Sequence, residues 1–437
     1  MRKILIALLL LTLCTANAQQ LTQEQVDSET YTSFINKEYK TTIKIGKQSL
    51  KAGIDFYYLR YRMGVSYYEN KNYEAAIPHF EKAKALDGSD SALLEYLYYA
   101  YLNSSQREKA NLLADTFTDE LKVKVEYAPR LFKSVAAEVG ILKTNNFDNY
   151  KSNNFKGNAN FGHGTFYSDV QFNNLFINNQ LSSRFKLQNI ISLVTNTSND
   201  IFRFSFPSSK ETIITNKNNY FQWNVIGSYY LKNWTVSAGF GLYSSSSISY
   251  TAPPPFPPNQ PFLSQKTNAN STSGSLSISR RLKYFEPTLA VSYTNLSELK
   301  TITSEGSVSY FPFGNLNLYG NSKIALISNT AEHNTVFTQL IGVKITKKLW
   351  LECFGASGNH ENYISDNGLF AYNSPNKINW YAGSNLNIYF KKFDLSFGYG
   401  IQERGSTYES GANPTTTNTT NYTYNYNLLK TKIVWKF

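Results

Sequence analysis

The sequence is poor in the residues on which most exported or catalytic chains rely: 437 residues hold two cysteines, two methionines and four histidines. Cys14 lies in the N-terminal leader described below, so cleavage leaves Cys353 alone and excludes an intramolecular disulfide framework. His79, His163, His333 and His360 are scattered, and none stands at metal-ligand spacing with another His or Cys. A Gly-rich phosphate loop and a strand-turn-helix serine elbow are both missing, so the expectation is no enzyme, no cofactor and no metal. Acidic residues are outnumbered, 31 against 43 Lys and Arg, for a formal +12 that falls to +10 without Arg2 and Lys3. A basic balance can mark a nucleic-acid partner, but many of these lysines fall at expected turns beside aromatics, which reads as solvation at a membrane edge. No nucleic-acid partner is expected. Downstream of the leader no run approaches the ~20 apolar residues of a membrane helix.

What is present begins with a secretory signal over residues 1–18: Arg2 and Lys3, the apolar run Ile4 to Leu13, then Ala16-Asn17-Ala18 as a small-x-small cleavage site. Leu13 before Cys14 argues against lipidation, which wants a small residue there.

The clearest pattern runs from Lys377 to Gln402. Ile378, Trp380, Ala382, Ser384, Leu386, Ile388 and Phe390 alternate with Asn379, Tyr381, Gly383, Asn385, Asn387 and Tyr389. After Lys391-Lys392, Phe393, Leu395, Phe397, Tyr399 and Ile401 alternate with Asp394, Ser396, Gly398, Gly400 and Gln402. A period of two with one apolar face predicts a hairpin. The small, polar opposite face and the flanking aromatics predict strands with one side to lipid and one to a lumen.

Taken in order, residues 19–126 have helical periodicity with a repeat. Asn36-Lys37-x-Tyr39 followed by Ile43 recurs as Asn70-Lys71-x-Tyr73 followed by Ile77, a step of 34 residues. Met63-Gly64, Tyr67, Ala76, Phe80 and Ala83 then match the tetratricopeptide pattern. This copy resembles a tetratricopeptide unit, with degenerate copies before Tyr57 and after Ser91, as terminal units often are. The resemblance places the first helix of each unit on a concave groove, exposing Tyr58, Tyr61, Val65, Tyr68, Glu95 and Tyr99. Such a tyrosine-rich groove suits a periplasmic peptide or a sugar chain; packing between helices is the other reading of the same tyrosines.

Pro129 ends the helical pattern and marks a linker over residues 127–132. From Lys133 to Phe437 about fourteen alternating runs follow, within limits of 12–16, and an even number closes a bacterial barrel. Short connections carry lysine beside an aromatic, such as Lys232-Asn233-Trp234 and Lys347-Lys348 before Trp350. Long ones are rich in Asn, Ser, Thr and Pro: Asn196 to Asn218, Ser244 to Ser273, Asn359 to Asn376 and Glu403 to Asn421. That asymmetry predicts short periplasmic turns and long outer loops.

If Leu429, Ile433, Trp435 and Phe437 face lipid, parity turns Lys430, Lys432 and Lys436 inward; likewise Arg184 and Lys186, with Glu138 as a counter-charge. The alternatives are a basic entrance for anionic cargo, or interior ion pairs and a plugged lumen. The final Trp435-Lys436-Phe437 is similar to the C-terminal signal read by barrel assembly machinery, an implied partner during biogenesis together with outer-membrane lipid. His163, between Gly162 and Gly164, is similar to the wall histidine of outer-membrane lipases and lipid A deacylases, although no serine motif accompanies it.

Signal peptide, repeat unit and barrel together define α plus membrane β: a short tetratricopeptide α-solenoid followed by an antiparallel transmembrane β-barrel. The chain resembles the YaiO-like outer-membrane proteins and, more distantly, the poly-N-acetylglucosamine export porins. The resemblance implies the bacterial outer membrane, a periplasmic N-terminal domain, and a transport or secretion porin of the polysaccharide-export kind. The rival expectation is a non-conducting structural or assembly component that acts through its repeat domain.

Overall fold

A computed structural model describes residues 21–154, 160–205, 210–251, 262–296, 299–330, 332–365, 370–372, 376–413 and 416–437. The leader and Pro253-Pro254-Pro255 lie outside the described residues. The chain divides into two units, Met1–Tyr127 with Phe313–Asn315, and Ala128–Pro312 with Leu316–Phe437.

The first unit is helical: α1 (Gln23–Ile35), α2 (Tyr39–Lys51), α3 (Tyr57–Glu69), α4 (Tyr73–Leu86), α5 (Ser91–Asn103), α6 (Arg107–Ala114) and α7 (Asp119–Lys124). The first helices of three successive pairs start at Gln23, Tyr57 and Ser91, and the second helices at Tyr39, Tyr73 and Arg107, each a 34-residue step. The turns repeat as well: Lys37, Lys71 and Ser105 take positive φ of 59°, 59° and 63°, reversing the chain between the helices of each pair. Local capping fixes the starts. Thr22 and Gln25 form a capping box, and the side chains of Asn72 and Asp90 accept the first free N–H groups of α4 and α5.

Packing within a pair depends on small residues. A Cβ on Gly64 would lie 2.5 Å from the Phe80 ring, so the bare backbone is what lets α3 and α4 close on that ring. Phe80, Ala76, Ala83, Leu93 and Leu97 then form one buried core across α4 and α5. Val26, Leu59 and Met63 form a second one between α1 and α3.

The second unit contains β1 (Phe132–Lys143), α8 (Phe147–Asn154), β2 (Phe161–Gln180), β3 (Phe185–Phe204), β4 (Lys210–Leu231), β5 (Trp234–Thr251), β6 (Leu263–Arg280), β7 (Phe285–Thr294) and β8 (Thr301–Tyr310). It continues with β9 (Leu318–Ser328), β10 (His333–Lys344), β11 (Leu349–Gly358), β12 (Tyr363–Ser365), β13 (Phe370–Tyr372), β14 (Lys377–Tyr389), β15 (Phe393–Asn413) and β16 (Thr416–Lys436). All but β12 and β13 form one closed antiparallel ring of 14 strands, each paired with its sequence neighbours and β1 sealed to β16, Val135 opposite Trp435. The fourteen expected runs are these fourteen strands. Closure removes the sheet edges that lipid could not satisfy.

Side chains sort by parity. On β3, Leu193 is exposed, while Ile190, Ser192, Asn196 and Ser198 are buried inside the ring. On the far wall Ile324, Leu326 and Phe337 are about half exposed, with Ala325, Ile327 and Val336 buried between them. A continuous apolar exterior around a polar interior is the surface of a membrane barrel. The proximal rim, where β1 starts and β16 ends, carries the short turns. Its lysines and arginines sit on rings there: Arg280 over Trp234 at 5.0 Å, Lys344 over Trp350 at 4.6 Å.

Three expectations need correction. Asn196 to Asn218, Ser244 to Ser273 and Glu403 to Asn421 are mostly strand: Asn196 pairs with Asn218, Ser244 with Asn270 and Thr407 with Asn421. β2 to β6, β15 and β16 run 18 to 22 residues, against the ~9–11 that cross a bilayer. In these continuations the alternation fades, adjacent Ile201 and Phe202 both being buried, while the hydrogen-bond ladder continues. Ile378, expected on the lipid face, is buried opposite Arg404, because a bulge at Asn379 shifts the β14–β15 register between Ile378 and Trp380. Arg184, expected in the lumen, is exposed in the turn between β2 and β3 rather than on a strand, so strand parity does not govern it.

Within β14 and β15, Gly383 and Gly400 face each other, and a Cβ on Gly383 would lie 2.6 Å from the Tyr399 carbonyl oxygen and 2.9 Å from the Gly400 Cα. Backbone cannot yield as a side chain can. Gly383→Val is expected to part the two strands and reduce the folded, heat-modifiable fraction on gels by more than half, with Gly274→Val, where a Cβ meets nothing within 4 Å, near wild type.

Candidate functional site

The chemistry of this chain is concentrated inside the ring, where the segment between β11 and β14 turns inward. This run was expected as an outer loop. Its two short strands, β12 and β13, pair with each other and not with the wall. Tyr363 is buried against Ala325, Ile327 and Val336 of β9 and β10, and Ile364 against Tyr243 and Leu296. Within the described part, adjacent Tyr363 and Ile364 are both almost fully buried, which a solvated loop would not allow. That adjacent pair was the sequence signal of an infolded hairpin.

Polar anchors hold it. The Tyr363 hydroxyl donates to Glu305 Oε1 at 2.5 Å, Lys323 Nζ donates to Ser365 Oγ at 2.6 Å, and Glu305 and Lys323 form an ion pair at 3.6 Å. Both charged side chains are buried. Across the lumen, Gln222 of β4 donates to the Ala371 carbonyl at 3.4 Å, and Asn376 donates to the Tyr424 hydroxyl at 2.5 Å. The hairpin thereby touches β4, β8, β9 and, at its base, β16. Sequence reasoning missed Glu305 and Lys323. Glu305 was visible as the single charge at inward parity after Thr301 and Thr303.

A second group of inward side chains fills the wall where β1, β2, β15 and β16 meet. Tyr150 of α8 packs 5.1 Å from Phe166 and 4.5 Å from Tyr422, and Phe166 lies 4.8 Å from Tyr424, centroid to centroid. Above this cluster Tyr408–Gly411 of β15 pairs with Phe161–Gly164 of β2, so the β15–β16 ribbon joins β2 past the end of β1.

The expected lumen charges are distributed as follows. Lys430 lies 3.9 Å from Glu138, which also accepts from Asn174 at 2.9 Å. Lys432 stands 3.8 Å above the Phe176 ring, and Lys436 pairs with Asp394 at 2.6 Å while donating to the Phe390 carbonyl. Lys186 is half-buried near the start of β3. Lys430 and Lys436 are thus ion-paired, and Lys432 sits on an aromatic ring. His163 stacks on Phe202 at 4.4 Å, with no serine at hydrogen-bond distance among the described contacts. The terminal Trp435 is exposed on the lipid-facing side, and the Phe437 N–H bonds to the Lys133 carbonyl.

In the helical unit, Tyr61 and Tyr68 are brought together by Tyr96, which meets them edge-on at 6.3 and 5.1 Å. Tyr61 also stacks on Tyr57. Desolvation pushes the Tyr61 phenol up to about 12 and raises that of Tyr68 too. Val65 is buried. Glu95 holds Lys124 at 2.5 Å, beside Tyr99. Tyr58 is exposed, edge-on to Tyr57 at 5.2 Å and with the Arg62 guanidinium 5.4 Å from its ring. The aromatic face is therefore Tyr57, Tyr61, Tyr68, Tyr73 and Tyr96, largely packed on itself. Tyr96 escaped the sequence reading because the residue one repeat step from Tyr61 is Glu95.

These features define the class of molecule: a membrane β-barrel of the outer-membrane type, with a helical N-terminal unit and a lumen crossed by its own hairpin. No protein-family model and no curated protein sequence matches the chain. Among solved structures it is similar to the Pseudomonas putida toluene transporter TodX, at 7% identity and a TM-score of 0.45 over 74% of this chain and 94% of that one. It is also similar to a Pseudomonas aeruginosa FadL homologue, at 8% identity and a TM-score of 0.43 over 70% and 90%. A bacterial polysaccharide outer membrane secretin is similar at 7% identity and a TM-score of 0.36 over 71% and 100%. Likeness at this level carries no argument about solute; the barrel class rests on the chain's own ladder.

Proposed function

We propose that this protein is an outer-membrane transport protein whose lumen is held shut by the β12–β13 hairpin and conducts when that hairpin leaves its seat. The observation that carries the reading is the hairpin's attachment. It forms its own two-stranded sheet and is held to the wall by side chains, each hydrogen bond contributing about 1 kcal/mol net. Removing a wall strand would break a full ladder, but moving the hairpin breaks none. A segment so attached behaves as a gate rather than as part of the cylinder.

Within this reading the three helix pairs at a 34-residue step are tetratricopeptide units in the periplasm, where they recruit a periplasmic protein or guide a chain such as a polysaccharide. The second reading, a non-conducting assembly component acting through its helical unit, draws on the filled lumen and the packed tyrosine face. Planar-bilayer recording separates them. The intact barrel is expected to show rare, small openings. Replacing residues 363–372 with a short Gly-Ser linker should give a steady conductance several-fold larger. A hairpin-free, correctly folded barrel that passes no ion would sink the transport reading and favour the second.

A further inference from the structure

The second helix of the first pair, α2, carries its lysines in a single row. Lys40, Lys44, Lys47 and Lys51 recur at helical spacing, which at about 100° per residue puts them all within an arc of about 60°. All are exposed, and among the described residues none of them enters an ion pair. The helix contains no acid, and Asp55 just beyond it is held by Arg60 at 2.7 Å. The opposite face fixes α2 in place: Thr42 Oγ1 lies 2.9 Å from Ser33 Oγ of α1, and a Cβ on Gly46 would collide with the Met63 thioether of α3.

The repeat does not require this row. One 34-residue step on, the same positions are Glu74, Pro78, Glu81 and Ala85, and two steps on they are Glu108, Leu112, Asp115 and Asp119. Overall charge does not require it either, since residues 21–127 hold 16 acids against 14 lysines and arginines. Like charges one turn apart repel within a helix. The row therefore costs α2 stability, and its explanation lies in what meets that face from outside.

We infer that this face binds an extended acidic polysaccharide with a carboxylate on each sugar. The inference rests on the transport reading, in which the helical unit guides a chain, and it gives that chain its charge. Successive lysines rise about 5 Å along the helix axis, close to the advance per ring of an extended pyranose chain. Each ammonium can then meet a carboxylate in turn, over a row about 17 Å long. The exposed Thr41 and Gln48 flank the lysines and can bond sugar hydroxyls. A bilayer surface fits less well, because α2 exposes no large apolar side chain to enter it.

The test is fluorescence anisotropy of labelled oligogalacturonate on the full-length protein in detergent, with uncharged maltodextrin and cationic chitosan oligomers of the same length beside it. Oligogalacturonate should bind saturably, about tenfold or more tighter than either, and weaken as salt rises. Lys40→Gln/Lys44→Gln/Lys47→Gln/Lys51→Gln should cost about tenfold or more, while arginine at the same positions keeps the affinity. Lys82→Gln/Lys84→Gln/Lys109→Gln/Lys122→Gln, which removes the same charge from other helices, should keep it too. If the full glutamine row does not fold, Lys44→Gln/Lys47→Gln carries the comparison, with an expected loss of about threefold. Equal binding of the three oligomers, or an unchanged affinity in the glutamine variants, overturns the proposal. So does tighter binding of polyglutamate of equal charge, which would make the partner an acidic protein segment, or binding to phosphatidylglycerol vesicles alone. No saturable binding at all overturns it as well and leaves the row a solvated face. Failure here in a barrel that conducts once the hairpin is removed leaves the transport reading standing. Oligogalacturonate binding by a barrel that never conducts does the reverse.

Discussion

Glu305→Ala is expected to open the barrel. The carboxylate does two jobs, accepting from the Tyr363 hydroxyl and neutralising Lys323 at 3.6 Å, and both partners are buried with it. Its removal takes a carboxylate away from a buried ammonium, which costs about 3–5 kcal/mol when a buried pair is broken from one side. The ammonium regains solvation if the hairpin leaves and water enters. Even 3 kcal/mol spent this way shifts the closed-to-open ratio by roughly a hundredfold. In planar bilayers the variant should therefore show long openings where the wild type shows rare ones. Glu305→Ala/Lys323→Met removes the charge with its partner and should return most of the closed population, because matched apolar groups cost far less than a pair broken from one side. A Glu305→Ala barrel with wild-type current, beside a hairpin-free barrel that conducts, would place the seat in the apolar contacts of Tyr363 and Ile364 instead.

The wall was legible because its physics is local. Period-two alternation at Phe393 to Gln402, or along Leu429, Ile433 and Trp435, needs only lipid on one side and lumen on the other, and it located every strand that crosses the bilayer. It lost the strand continuations at Asn196 to Asn218 and Glu403 to Asn421, where the alternation breaks down: adjacent Ile201 and Phe202 are both buried, and backbone pairing with cross-strand amide bonds such as Asn218 to Asn196 maintains the ladder. The hairpin was hidden for a different reason. Tyr363, Ile364 and Ser365 are buried by partners 40 to 120 residues away, at Tyr243, Glu305 and Lys323, and a contact of that sequence separation leaves no periodic trace in three-residue strands. The same holds for Ile378, which one bulged residue moved to the lumen. In the helical unit the 34-residue step fixed the helix pairs, yet it could not say whether Tyr61 and Tyr68 face solvent, since that depends on Tyr96 from the neighbouring pair.

Arg62→Ala is expected to release the first helix pair while leaving the rest of the chain folded. Arg62 projects from α3, and its Nη1 donates to the Asp27 carbonyl at 3.0 Å, to Asp27 Oδ1 at 2.8 Å and to Thr30 Oγ1 at 3.0 Å. The guanidinium lies 5.3 Å from the Tyr31 ring centroid and 5.4 Å from that of Tyr58. One buried side chain thus ties α1 to α3 by charge-assisted hydrogen bonds and the Tyr31 ring contact, beside a small apolar core of Val26, Leu59 and Met63. Loss of those bonds costs about 2–4 kcal/mol, discounted from the full value of a buried pair because Asp27 remains half open to solvent. In a stack of repeats an end unit depends on a single neighbour, so the cost falls on the α1–α3 interface and should not spread. Hydrogen exchange on the full-length protein should show amides of α1 and α2 exchanging about thirtyfold faster or more, α5 and α6 little changed, and the barrel strands unchanged. Arg62→Lys keeps the charge but cannot hold both rings and the three acceptors at once, so it should fall between. Unaltered exchange in α1 would mean that the apolar core alone holds the pair, and faster exchange reaching α6 would mean that the helical unit unfolds as a single block rather than repeat by repeat.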